Sequence, residues 1–204
     1  MNKILLLLTI PIGLLTGNHT LAQSGITDAD RDYAYDYLKQ SQKRIMKSVK
    51  GLNETQLNFK ASPGSWSIAE CIEHLAISES LIFSFVENSL KTEADPSKRN
   101  EVEVTDEQII QLITDRSSKV KTREEFEPNN NFGSYQGSLE EFTTRRKTNL
   151  KYVKTTKDDL RNHYFDFPFG KADTYQVILF MGAHSVRHAK QIEEILATPS
   201  FPES

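Results

Sequence analysis

The chain has 204 residues, with 25 Lys and Arg against 28 Asp and Glu, a formal net charge of −3. That balance lacks the basic excess expected of a nucleic-acid footprint. A single cysteine, Cys71, excludes an intramolecular disulfide, and its place in an apolar helical pattern marks it as a small buried hydrophobe.

The opening segment "MNKILLLLTIPIGLLTGNHTLAQS" carries Lys3, an apolar run from Ile4 to Leu15, and a polar tail of small residues. This is the layout of a secretory signal peptide, residues 1–22, with cleavage after Ala22. Pro11 and Gly13 interrupt the run, which is too short for a comfortable membrane span. The expectation is an exported protein, periplasmic or secreted, without a stable membrane anchor. The remaining chain, 23–204, is about 180 residues long and suits one domain with a sizeable core.

Helical signals then follow one another. Thr27 with Asp30 opens a helix over about Asp28–Lys50, with Ala34, Leu38, Ile45 and Val49 at helical spacing. "GLNETQLNFKASPGSW" turns the chain at Pro63-Gly64. Within it, Asn53-Glu-Thr matches the glycosylation pattern, a weak signal at three letters. Ser67 and Glu70 form a capping box for a second helix reaching about Leu90, with Trp66 and Cys71 placed as its hydrophobic staple. Thr105 and Gln108 open a third, shorter helix. "REEFEPNNNFGSYQG" shows no period and reads as a long loop. Ser138 with Glu141 is the expected start of a fourth helix, running to about Leu160. After "NHYFDFPFGKAD" a fifth begins near Asp173 or Thr174 and ends before Pro199. With no convincing strands, the expected fold is all-α: an antiparallel four-helix bundle with an additional shorter helix.

The fifth helix places Val177, Met181, His184, His188, Ile192 and Ile195 on one narrow face. Its two histidines stand in the middle of an apolar stripe, one turn apart, with Cβ atoms about 6 Å from each other. Buried imidazoles without partners cost roughly 1–3 kcal/mol each. A shared cation would meet both. His74, in "AECIEHLAISES", flanks the apolar face of the second helix in a row with Ser78, Leu81 and Phe85. Antiparallel packing could bring it opposite the pair. Three imidazoles with an open position resemble a catalytic metal site. The nitrogen-only set suits a divalent metal, zinc or nickel first, with iron, manganese or cobalt as further choices. Because ligating imidazoles must be neutral, protons are expected to displace the metal below a pH of roughly 6. Core packing remains the competing reading from spacing alone.

"GSWSIAECIEHL", followed far downstream by "HSVRHAKQIEEI", resembles the DinB-like superfamily of helical-bundle proteins. The resemblance covers nearly all of the chain after the signal segment, including "GLNETQL". It implies the same triad: His74, His184 and His188. For activity it implies a metal-dependent enzyme, in some relatives a thiol-dependent transferase or isomerase and in others a hydrolase by designation. Export away from the reducing cytoplasm weighs against the thiol chemistry. The leading expectation is a metal-dependent hydrolase. A noncatalytic module binding a metal or small ligand comes second, and a thiol-dependent S-transferase third. The expected partner is a small-molecule ligand or substrate, with no nucleic acid; a homodimer is left open.

Two further residues are candidates. Arg146 falls amid Leu139, Phe142, Leu150 and Val153, near the centre of an apolar face. It either pairs with an inward carboxylate such as Glu79 or anchors an anionic substrate. His163, in "NHYFDFPFG", is a loop residue in the simpler reading. If that loop folds over the triad, His163 is a candidate general base.

Overall fold

The computed structural model describes residues 25–203; the expected signal segment lies outside them. Four long helices dominate: α1 (Asp28–Ser48), α3 (Ile68–Ser89), α5 (Tyr135–Thr155) and α6 (Thr174–Leu196). A single turn, α2 (Glu54–Leu57), and a shorter helix, α4 (Asp106–Thr114), lie in the connections, with 3-10 turns at Pro96–Glu101 and Glu124–Phe126. Among the described residues no helix is long and apolar enough to cross a membrane.

Capping chemistry sets most boundaries. Thr27, Asn53, Ser67, Thr105 and Asp173 each accept the N3 backbone N–H while the N3 side chain returns to the cap, satisfying donors that a helix start leaves free. Asn53 of the glycosylation triplet is thus the cap of α2. The expected start at Ser138 is corrected: Ser134 caps α5, accepting from Gly137 N. Ser138 is already inside the helix, buried, with its hydroxyl donating back to Ser134 O. A second correction is a small antiparallel hairpin, β1 (Tyr164–Phe167) with β2 (Gly170–Asp173), within the stretch expected to be loop.

The lateral neighbours are α1–α6, α6–α3, α3–α5 and α5–α1. Named pairs fix their directions. Tyr175 donates to Asp30 O at one end and Arg44 pairs with Glu193 at the other, so α1 and α6 run parallel. Ser89 meets Thr174, and His74 meets His184, so α3 and α6 run antiparallel. Asn149 meets Glu79, and Tyr152 meets Phe83, so α3 and α5 run parallel. Lys154 reaches Asp32, which makes α5 antiparallel to α1. The antiparallel relation therefore holds for two of the four lateral pairs. The long α3–α5 connection, which contains α4, returns the chain to its starting end and makes the parallel α3–α5 pair. Gly182 lets α1 come close to α6, since a Cβ there would stand 2.7 Å from Tyr37 Cδ1.

The core has two apolar halves. One, towards the hairpin, gathers Leu38, Ile82, Val153, Tyr175, Ile178 and Met181. The other gathers Ile45, Ile72, Leu75, Phe142, Ala189 and Ile192. Between them lies a polar layer centred on Arg146. Its guanidinium donates to Glu79, Leu38 O, Ser41 Oγ and Ser185 Oγ, and Asn149 also donates to Glu79. A buried cation needs this complete set of acceptors.

Candidate metal centre

Ser67 caps the start of α3, and Trp66 and Cys71 both belong to the second apolar half. Two helical turns on, His74 projects from α3 towards α6, where His184 and His188 point back. His74 Nε2 lies 3.1 Å from His184 Nε2, and His188 Nε2 lies 3.1 Å from the same atom. His184 Nε2 faces both neighbours but carries either one hydrogen or one lone pair, so hydrogen bonding alone does not serve both contacts well. Nitrogens bound to tetrahedral zinc at about 2.0–2.1 Å would stand about 3.3–3.4 Å apart. The side chains present therefore fit a small divalent cation. The cluster consists of histidines alone among the described residues.

The surroundings fix the rings. His74 donates Nδ1–H to Phe126 O at 2.7 Å, which leaves its Nε2 lone pair facing the other two histidines. Trp66 packs on His74 with centroids 4.8 Å apart and stacks beside His188. Phe180 stacks on His184. Ser78 Oγ stands 3.5 Å from His74 Nε2. His74 and His188 are buried, whereas His184 is half-buried and marks the accessible side. His188 Nδ1 is buried without a partner.

Burial holds the three imidazoles neutral. It pushes the His74 pKa down to about 4, against a smaller opposing effect of the Phe126 carbonyl. His184 and His188 are held well below the usual histidine value, first by burial and then by the neighbouring imidazoles. Neutral imidazole is the form that ligates.

The other sequence candidates fall elsewhere. Arg146 is fully enclosed and engaged, so the ion pair with Glu79 is what the structure contains. No face of that guanidinium is left for a substrate. His163 lies at the opposite end of α6, where its carbonyl accepts from Thr174 N and Oγ1, and it is not one of the three clustered histidines. The loop does not fold over the triad, because the β1–β2 hairpin binds it to the N-terminal end of the helix. Cys71 is buried, and burial pushes its thiol up to about 12, which makes it inert. Sequence reasoning missed Phe126, whose contribution is a backbone carbonyl, and Glu73, which holds the adjacent loop.

Residues 37–192 match the model of the DinB superfamily. The chain belongs to that superfamily. It is 28% identical over 148 residues to the uncharacterized protein YuaE of Bacillus subtilis strain 168, covering 72% of this chain and 87% of YuaE. Its fold is similar to that of YfiT from Bacillus subtilis, with a TM-score of 0.50 and 16% identity, over 85% of this chain and 89% of YfiT. YfiT is described as a probable metal-dependent hydrolase with an unusual four-helix bundle topology.

Proposed function

We propose that this DinB-superfamily protein is an exported metal-dependent enzyme of the hydrolase class. His74, His184 and His188 would hold a divalent cation, zinc or nickel by the character of a nitrogen-only donor set. The convergence of their three Nε2 atoms carries the reading. The description of YfiT, a protein of similar fold, supports it. A cation held there supplies a Lewis acid for an ester or amide carbonyl.

The chain's own residues do the rest. The half-buried side of His184 is where a small-molecule substrate would approach. Trp66 and Phe180 wall the histidines and limit water around them. Ser78 offers a hydroxyl beside His74 that can orient a polar atom. Export rests on the Met1–Ala22 pattern.

A noncatalytic metal-binding module is the second reading, favoured by a cluster that contains no carboxylate to act as general base. Elemental analysis of protein purified without an affinity tag tests both readings, with about one equivalent of metal per chain expected. Hydrolysis of simple esters or amides, lost on chelation and regained with metal, then separates enzyme from module. Protein that carries and takes up no metal overturns both.

A further inference from the structure

We infer that Glu73 is a positioning residue for the metal ligand His74, acting through the loop that connects α4 to α5. This rests on the metal reading of the triad.

The segment between Thr114 and Tyr135 is too long to be set by its ends alone. Its start is tied to α6: Arg187 donates to Asp115 O and Ser118 O, and Lys190 donates to Thr114 O. Residues 119–125 are exposed apart from Thr122, and do little to hold the chain in place. Phe126 comes next, and its carbonyl takes the Nδ1–H of His74.

The firm anchor is downstream. Asn129 N, Asn131 N and Asn131 Nδ2 donate to one atom, Glu73 Oε1, at 3.1, 2.6 and 3.1 Å. Asn130 between them has φ of 58°, a left-handed conformation that Asn tolerates better than most residues. It turns the flanking N–H groups towards a single oxygen, the concave arrangement that backbone amides use to hold an anion. "NNN" is therefore a cradle for Glu73. The carboxylate is buried and belongs to the residue immediately before His74 on α3. One residue thus fixes the loop three positions from the carbonyl that orients its own neighbour.

The consequence for ligation is specific. While Phe126 O accepts from Nδ1, His74 keeps a lone pair on Nε2. Released from that carbonyl, the ring can take the other tautomer and direct an N–H into the cluster. Loss of such outer partners commonly weakens metal affinity about 10–100-fold.

Histidine-labelled nitrogen NMR of the metal-free protein, with zinc titrations at neutral pH, tests the inference. Wild type should show the Nδ1–H tautomer at His74. Glu73→Ala should mix the tautomers and weaken zinc binding about 10–100-fold. Glu73→Gln should restore both, because all three bonds go to one oxygen that an amide can supply. Should Glu73→Ala fail to fold, Asn131→Ala, which removes one of the three donors, should shift tautomer and affinity in the same direction by less. An unchanged tautomer and affinity in the alanine variants that fold would overturn the inference, as would Glu73→Gln binding as weakly as Glu73→Ala. Wild-type protein that takes up no zinc overturns the metal reading and this one together, while unaltered tautomers in a zinc-binding protein overturn this one alone.

Discussion

Arg146 and Glu79 form an ion pair sealed inside the bundle, with side-chain exposures of 0% and 2%. They join α5 to α3 midway along both helices, and Ser41 and Ser185 bring α1 and α6 to the same guanidinium. Removing one member of such a pair strands the other's charge. Arg146→Met should destabilise by about 3–5 kcal/mol. Pairing it with Glu79→Leu should recover much of that loss. Urea unfolding of the two single variants and the double variant checks this, and additive losses would contradict it.

Alanine at His184 or His188 should abolish stoichiometric metal binding, because either change leaves only two of the three converging nitrogens. His163→Ala should leave metal content intact, since that residue sits at the far end of α6. Metal analysis after gel filtration reads both. Full metal content in either triad variant would remove the basis for the site.

The pH response can be given a sign. In the metal-free protein the three histidines have lowered native pKa values, His74 to about 4, against an ordinary value near 6.5. Below about 6.5 the unfolded chain takes up protons that the native one refuses, so stability falls with pH by up to about 1.4 kcal/mol per unit per histidine. The fall ends once pH passes below the native pKa values. Raising the pH from 4.5 to 6.5 should therefore raise the melting temperature of chelator-treated protein, by more than in a His74→Leu variant.

The same depression changes the expected acid sensitivity of metal binding. Ordinary histidines would release metal below a pH of roughly 6. Here proton competition in the native state should begin well below 6, near 4 at His74. The difference in melting temperature between metal-loaded and chelated protein should persist at about pH 5. A difference already gone at pH 5.5 would show that these imidazoles titrate normally.

Gly182→Ala should destabilise. The added Cβ would meet the ring of Tyr37 at 2.7 Å. Overpacking costs about 1–3 kcal/mol, and the gain in helix propensity returns about 1, leaving a net loss of up to about 2 kcal/mol. In a Tyr37→Ala background the same Gly182→Ala change should cost nothing or stabilise by about 1 kcal/mol; thermal melts of the double-mutant cycle provide the check.

The features legible in the sequence were those whose signal lies within a few residues. Thr27 with Asp30, Ser67 with Glu70, and Thr105 with Gln108 announce helix starts because each cap and its return partner are three residues apart. Ser134 has Gly137 at that place, so the Ser138–Glu141 spacing looked stronger than the true cap. The hairpin was hidden because each strand spans only four residues and Phe167 is followed by Pro168. The triad was legible from histidines set in an apolar stripe. Its supports were not: a carbonyl has no letter of its own, and three asparagines turning around Glu73 resemble any polar loop.

The crossing of the four helices also fixes when the site can come into being. His74 and His184 are 110 positions apart, and the last helix supplies two of the three nitrogens. A chain emerging from the ribosome has no centre to fill until α6 has docked between α1 and α3. Contacts this distant in sequence form late and slowly. Capture of the cation thus falls at the end of folding, and any chain truncated before Gly182 would retain one histidine of the three and no site at all.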